Sequence, residues 1–229
     1  MKTIGLLGGM SWESTALYYQ LINEGIKARL GGLHSARIAL VSVDFHEIET
    51  LQHQGDWQRA GERLAAAARQ VEAAGADFLL LCTNTMHKVA PQIQAAITMP
   101  MVHLADATAR RITQQGMTQV GLLGTNFTME EDFYKERLRQ QGLTVLVPSP
   151  ADRQIVHQII YEELCLGIVK DASRQEYLRI MGELQAAGAA GIIEGCTEIV
   201  MLVQQAHTPI PLFDTTAIHA EAAVALALA

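Results

Sequence analysis

The chain has 229 residues, 49% of them hydrophobic and 18% charged, with a formal net charge of −7, a balance that suits a water-soluble globular protein of one large or two small domains. Its scattered basic residues argue against a nucleic-acid partner, which would call for a basic face; no run reaches the roughly 18 apolar residues of a membrane span, and Gly8 and Gly9 interrupt the first apolar stretch too early for a signal peptide. Three cysteines are an odd number for a disulfide framework and lack metal-type spacing, so the expectation is reduced thiols in a cytoplasm, with no metal.

In chain order, Lys2 to Gly8 reads as a first strand, and Ser11 caps a helix that runs to Leu30, where Gly31-Gly32 stops it. Ile38 to Val43, rich in Ile, Leu and Val without alternation, reads as a strand covered on both faces. A polar loop from Asp44 to Trp57 follows, carrying His46, Glu47 and Gln52. Trp57 to Ala74 is predicted helical with Gly75 as its stop, leading into Phe78-Leu-Leu-Leu-Cys82, an uncharged run of strand length that ends on a thiol. Thr83 to Thr85 then open a helix through Val89 to Ile97, bent or delayed by Pro91. Met101 to Leu104 is a short strand, and Ala105 to Gln115 a helix.

The second half restarts with Gln119 to Leu123 as a strand, then Thr128-Met-Glu-Glu131 as a capping box for a helix to Gln141. Leu143 to Val147 reads as a strand and Pro148-Ser-Pro150 as a turn. Ile155 to Leu166 and Ser173 to Ala187 read as helices, with Cys165 packed as an ordinary core residue. Gly191 to Gly195 is the strand before Cys196, Ile210 to Phe213 the last strand, and Thr215 to Ala229 a closing helix.

Alternating strands and helices imply α/β units with parallel sheets, whose ligands bind at the carboxyl ends of the strands. Two motif pairs recur at almost the same separation, about half the chain: Ile4-Gly-Leu-Leu-Gly8 with Val120-Gly-Leu-Leu-Gly124, and Leu81-Cys82-Thr83 with Gly195-Cys196-Thr197. The repeat predicts two pseudo-symmetric lobes, each a short parallel sheet flanked by helices, with the active site in the cleft between them. The expected division is residues 1–98 plus 213–229 for the lobe carrying Cys82, and 99–212 for the lobe carrying Cys196.

Two facing thiols suit racemisation of a carbon acid, in which one base removes a proton from one face while an acid delivers one to the other. A thiol with a pKa of about 8.5 is partly ionised near neutrality and becomes more so at a helix N-terminus. Thr83, Asn84, Thr85 and Thr197 offer donors for an α-carboxylate, and the turns at Gly8-Gly9-Met10 and Gly124-Thr125 allow close backbone approach. Glu194 and Glu198 flank Cys196, either to orient an amino group or as solvated side chains. His87 and Lys88 read as helical surface, His87 with a secondary role near the site as the alternative.

With Gly8-Gly9-Met10-Ser-Trp-Glu-Ser-Thr15, Cys82-Thr-Asn-Thr85 and Gly195-Cys196-Thr-Glu198 in this order, the chain resembles the aspartate/glutamate racemase family over its whole length. The resemblance implies a racemase that needs no pyridoxal phosphate or other cofactor, usually a homodimer, acting on a small amino acid. It implies Cys82 and Cys196 as the paired acid and base, and Met10, Gln52, Thr83, Asn84, Thr85, Thr125, Thr197 and Glu198 as substrate contacts. Aspartate-specific members are expected to carry a basic residue after the second strand, yet Asp44 to Trp57 holds no Arg or Lys; a neutral polar substrate such as homoserine is the alternative. Hydantoin racemisation, maleate-type isomerisation and a non-catalytic amino-acid sensor complete the expectations, with Asp44–Trp57 and Asn126–Met129 as candidate lids.

Overall fold

In the computed structural model, which describes residues 1–229, the opening apolar run forms strand β1 (Ile4–Gly8), buried throughout. The chain continues through α1 (Trp12–Leu30), β2 (Ile38–Ser42), α2 (Phe45–His53), α3 (Trp57–Ala73), β3 (Phe78–Leu81), a 3₁₀ turn over Thr85–Val89, α4 (Ala90–Ala95), β4 (Met101–Val102) and α5 (Leu104–Gln114). The second half adds β5 (Gln119–Leu123), α6 (Asn126–Glu130), α7 (Asp132–Gln140), β6 (Thr144–Leu146), α8 (Pro150–Glu162), α9 (Asp171–Ala186), β7 (Ile192–Glu194), α10 (Ile199–Leu202), β8 (Leu212–Asp214) and α11 (Thr215–Leu228).

The strands form two four-stranded parallel sheets, ordered β2-β1-β3-β4 and β6-β5-β7-β8. The same order in both halves matches the internal repeat. Two compact units result, residues 1–104 with 216–229, and residues 105–215. The chain crosses later than residues 98 and 212 because β4 pairs with β3 and β8 with β7.

In the first unit both faces of the sheet are covered. Ile4, Leu6, Phe78 and Leu80 pack on Tyr18, Ile22 and Ile26 of α1 and on Ala220, Ala223 and Val224 of α11. Leu7, Leu79 and Leu81 face Leu64, Ala68 and Val71 of α3 on the other side. In the second unit Leu123 and Ile192 pack against Val156 and Ile160 of α8 and Ile180 and Leu184 of α9. Burying several such side chains, each worth about 1.5–3 kcal/mol, is what holds helices on a parallel sheet.

Several local expectations are corrected. β2 is an edge strand whose Leu40 is exposed, so it is not covered on both faces. The polar loop after it is mostly α2, capped by the Asp44 side chain on the His46 N–H. Pro91 does not bend the helix; the α-helix is instead delayed, a 3₁₀ turn covering Thr85–Val89 and α4 beginning only at Ala90 with Pro91 in its first turn, where a missing N–H is harmless. Thr128 caps no helix: Thr125 holds the N-cap position of α6, and Thr128 is buried inside it. Pro150 begins α8 behind the cap Ser149, and Cys165 lies exposed in a 3₁₀ turn at Leu164–Leu166.

Candidate active site

Parallel strands end together, so within each unit the loops that follow them gather at one edge of the sheet. In the first unit this edge carries the turn after β1 and the turn after β3, on neighbouring strands. Gly9 has φ 95°, and a side chain there would collide with the Val43 backbone, so only glycine lets the β1 turn pass this close to the end of β2. The turn is tied down by Thr15, whose Oγ1 accepts from the Gly9 N–H at 2.8 Å and donates to the Ser11 carbonyl at 2.9 Å. Met10 follows, buried in the core.

Cys82 continues β3, its N–H donating to the Leu7 carbonyl at 2.9 Å. Its side chain is fully buried, and burial alone pushes the thiol pKa far above its ordinary value, so the resting group carries its proton. Asn84 is buried, while Thr83 and Thr85 are half-buried. The Thr83 N–H closes a tight turn onto the Leu81 carbonyl at 2.9 Å. Gln52, on α2, is buried.

The second unit has an equivalent edge with one change of register. The Gly195 N–H donates to the Leu123 carbonyl at 2.7 Å as the Cys82 N–H does to Leu7, so Gly195 occupies the place of Cys82 and the thiol of Cys196 stands one residue further on. A side chain at Gly195 would press on the Leu123 carbonyl. Cys196 is half-buried, and its Sγ–H donates to Glu198 Oε2 at 2.9 Å. Desolvation and then the negative Glu198 carboxylate raise the thiol pKa well above its ordinary value. Thr125, the N-cap of α6 at the end of the neighbouring β5, places its Oγ1 3.4 Å from that of Thr128.

The first unit therefore gathers Met10, Cys82, Thr83, Asn84 and Thr85 on the loops after β1 and β3. The second gathers Thr125, Cys196, Thr197 and Glu198 on the loops after β5 and β7.

Three residues had a different sequence reading. His87 is buried, not helical surface; its distance of four residues from Thr83 was the available signal. Lys88 stacks its ammonium over the Trp57 ring, 3.8 Å from the centroid. Glu194 is not solvated: it is 3% exposed, pairs in register with Asp214, and has its pKa raised to about 8 by burial and then by the Asp214 carboxylate.

A model of the family described as Asp/Glu/Hydantoin racemase matches residues 7–223. The chain is 24% identical to the broad specificity amino-acid racemase RacX of Bacillus subtilis strain 168, over 99% of this chain and 98% of RacX. Among solved structures, a Yersinia pestis protein described as a candidate Asp/Glu racemase superposes with a TM-score of 0.96 at 56% identity, over 100% of both chains. An aspartate racemase homologue from Pyrococcus horikoshii OT3 gives 0.88 at 33% identity, again over 100% of both.

Proposed function

The chain belongs to the Asp/Glu/hydantoin racemase family and is an isomerase of amino acids; from that premise we propose that it racemises aspartate- and glutamate-type substrates, with Cys82 and Cys196 as acid and base, no cofactor, and a homodimer as the working form. The observation that carries the reading is the paired strand-end thiol. Each unit puts one cysteine, followed by threonine, at the carboxyl edge of its sheet beside its first strand.

In the proposed reaction one sulfur, as thiolate, takes the α-proton, and the other, as thiol, gives its proton to the opposite face of the carbanion. The product leaves the pair in the reversed protonation state, ready for the other enantiomer. Negative charge grows on the α-carboxylate as the proton leaves. The hydroxyls of Thr83, Thr85, Thr125 and Thr197 and the side-chain amide of Asn84 are the donors suited to hold it.

Both thiols rest protonated, and each unit of elevation costs about 1.36 kcal/mol to reverse. The substrate's α-ammonium is the cation that favours forming one thiolate when the substrate binds, the displaced thiol proton passing to water. Glu198 accepts the Cys196 proton in a hydrogen bond and orients the thiol until then.

A second reading, with neutral polar substrates such as homoserine, is favoured by two observations. The segment from Asp44 to Trp57 offers buried Gln52 and no Arg or Lys to read a distal carboxylate, and the relative RacX is named for broad specificity.

Proton NMR in D₂O with the purified protein and no added cofactor tests both readings. The Cα–H signal of L-aspartate, L-glutamate or L-homoserine should decay, and the substrate that decays fastest is the preferred one. Cys82→Ser and Cys196→Ser should each slow the exchange by roughly 10³-fold or more. Persistence of all three signals would sink the proposal.

A further inference from the structure

The first unit contains a buried histidine cluster that the reaction does not use. His87, His103 and His219 are 2%, 5% and 0% exposed. The ring centroids of His87 and His103 lie 4.4 Å apart, and those of His87 and His219 6.1 Å. They come from three places in the chain: the 3₁₀ turn after Cys82, the junction of β4 and α5, and α11.

Backbone partners fix the His87 proton. Nδ1 lies 2.8 Å from the Thr83 carbonyl oxygen, which can only accept, so Nδ1 carries the hydrogen. Nε2 lies 3.3 Å from the Leu104 N–H, which can only donate, so Nε2 is bare. Only the neutral Nδ1–H tautomer satisfies both. His219 is locked in the opposite tautomer, its Nε2–H donating to the Val102 carbonyl at 2.7 Å and its Nδ1 accepting from the Tyr18 hydroxyl at 2.8 Å. Burial, with the neighbouring histidines, keeps His87 well below its ordinary pKa, and burial brings His219 down to about 4.

Both backbone groups held by His87 are ones the local helices leave without a helical partner. The 3₁₀ turn sends the His87 N–H to the Asn84 carbonyl, so the imidazole supplies Thr83 with the donor that an α-helical turn would have taken from the backbone. Leu104 is the first residue of α5, where an N–H has no acceptor in its own helix.

We propose that His87 is a positioning residue: bridging the Thr83 carbonyl and the Leu104 N–H as a neutral imidazole, it fixes the turn that carries Cys82 against the start of α5. The inference rests on the reading of Cys82 as a reacting group. It adds a device that sets where that sulfur sits, and a catalytic base displaced by about 1 Å can lose on the order of 10²-fold in rate.

Two substitutions divide the bridge. In His87→Asn the amide nitrogen replaces Nδ1, keeping the Thr83 bond and losing the Leu104 acceptor. In His87→Gln the amide oxygen replaces Nε2, keeping the Leu104 bond and losing the Thr83 donor. Both should lower Tm by similar amounts. Breaking either end frees the turn from the start of α5, so positioning predicts that kcat falls roughly 10- to 100-fold in both variants at nearly unchanged KM, at temperatures well below either Tm. A purely structural role predicts a lowered Tm with kcat within about 3-fold of the parent at those temperatures, and that result would overturn the proposal.

Imidazole ¹⁵N shifts supply a readout independent of turnover. They should report the Nδ1–H tautomer for His87 and the Nε2–H tautomer for His219 across pH 6–8; an Nε2–H or doubly protonated His87 at neutral pH also rejects the proposal. If the parent protein exchanges no amino-acid α-proton, it is the racemase reading that fails. The bridge is then decided by the tautomer and by hydrogen exchange at the Leu104 amide, which should be slow in His87→Gln and fast in His87→Asn; equal rates would reject it.

Discussion

Glu194 ends β7 two residues before Cys196, its carboxyl buried against Asp214 and its Oε1 without a hydrogen-bond partner. Its folded pKa of about 8 lies above the carboxylate's ordinary value of 4.5, so the folded state binds the extra proton, and stability falls as pH rises from about 4.5 to 8. Glu194→Gln removes that dependence. The variant should be more stable than the parent by on the order of 4 to 5 kcal/mol at pH 8.5, with the gain vanishing near pH 4. Urea melts at both pH values check this, and a gain that does not change with pH would contradict it. The sequence offered Glu194 as a surface or site residue because burial of one acid beside another is visible only once β7 and β8 pair. The same applies to His87, whose partners Thr83 and Leu104 lie on different segments. By contrast, Cys82 and Cys196 were legible from their strand-then-threonine setting, although their one-residue difference in register appears only in the sheet pairing.

Among the elements, buried strands were the easiest to read, because β1 and β3 are short apolar runs that end at Gly8 or run into Cys82, and β7 is the apolar pair Ile192-Ile193 with Glu194, followed by Gly195. Helix stops were equally plain: Gly75 and Gly188 follow α3 and α9 with φ 86° and 105°, where glycine meets no steric penalty. The failures were starts. α2 buries only Ile48, Leu51 and Gln52, too narrow a stripe to stand out among polar neighbours. Thr128 has capping-box spacing, but β5 ends at Leu123 and the chain turns into α6 before reaching it. The start of α8 is more than local, since Asp152 accepts from the Ser149 hydroxyl at 2.8 Å and from Arg179 of α9 at 2.5 Å. The Arg179 bond, then Ser149, hold its carboxyl below the ordinary range; the stabilisation is therefore present above pH about 4 and lost as pH falls through the lowered value. Asp152→Ala should destabilise the protein by about 1 kcal/mol at pH 7, a modest figure because Arg179 is partly exposed and screened. Chemical denaturation at pH 7 and pH 3 checks it: an equal loss at both would show that packing, not charge, matters there.

For the whole molecule, the sequence repeat foretold two alike lobes, each with a short parallel sheet, and the identical strand order of the two sheets follows because two copies of one apolar-run grammar fold by the same right-handed crossovers. It did not foretell where the chain crosses, since that depends on which sheet accepts the short strands β4 and β8. The units differ in continuity, which has a thermodynamic consequence. Residues 105–215 run uninterrupted and carry their own core of Leu123, Val156, Ile160, Ile180, Leu184 and Ile192. A continuous segment of about 110 residues is of ordinary domain size and buries enough surface to fold alone. The first unit instead depends on α11, whose Ala220, Ala223 and Val224 cover Ile4, Leu6, Phe78 and Leu80, and whose His219 holds the end of β4 and Tyr18 of α1. A chain ending at residue 215 loses that whole layer, at roughly 25 cal/mol per Å² of apolar surface returned to water. We therefore expect the fragment 105–215 to melt cooperatively in circular dichroism. We expect the fragment 1–215 to keep slow hydrogen exchange in β5 and β7 while the β1 and β3 amides exchange freely. Protected β1 amides without α11 would mean that one covered face suffices for the first sheet, and the helix would then serve the site rather than the fold.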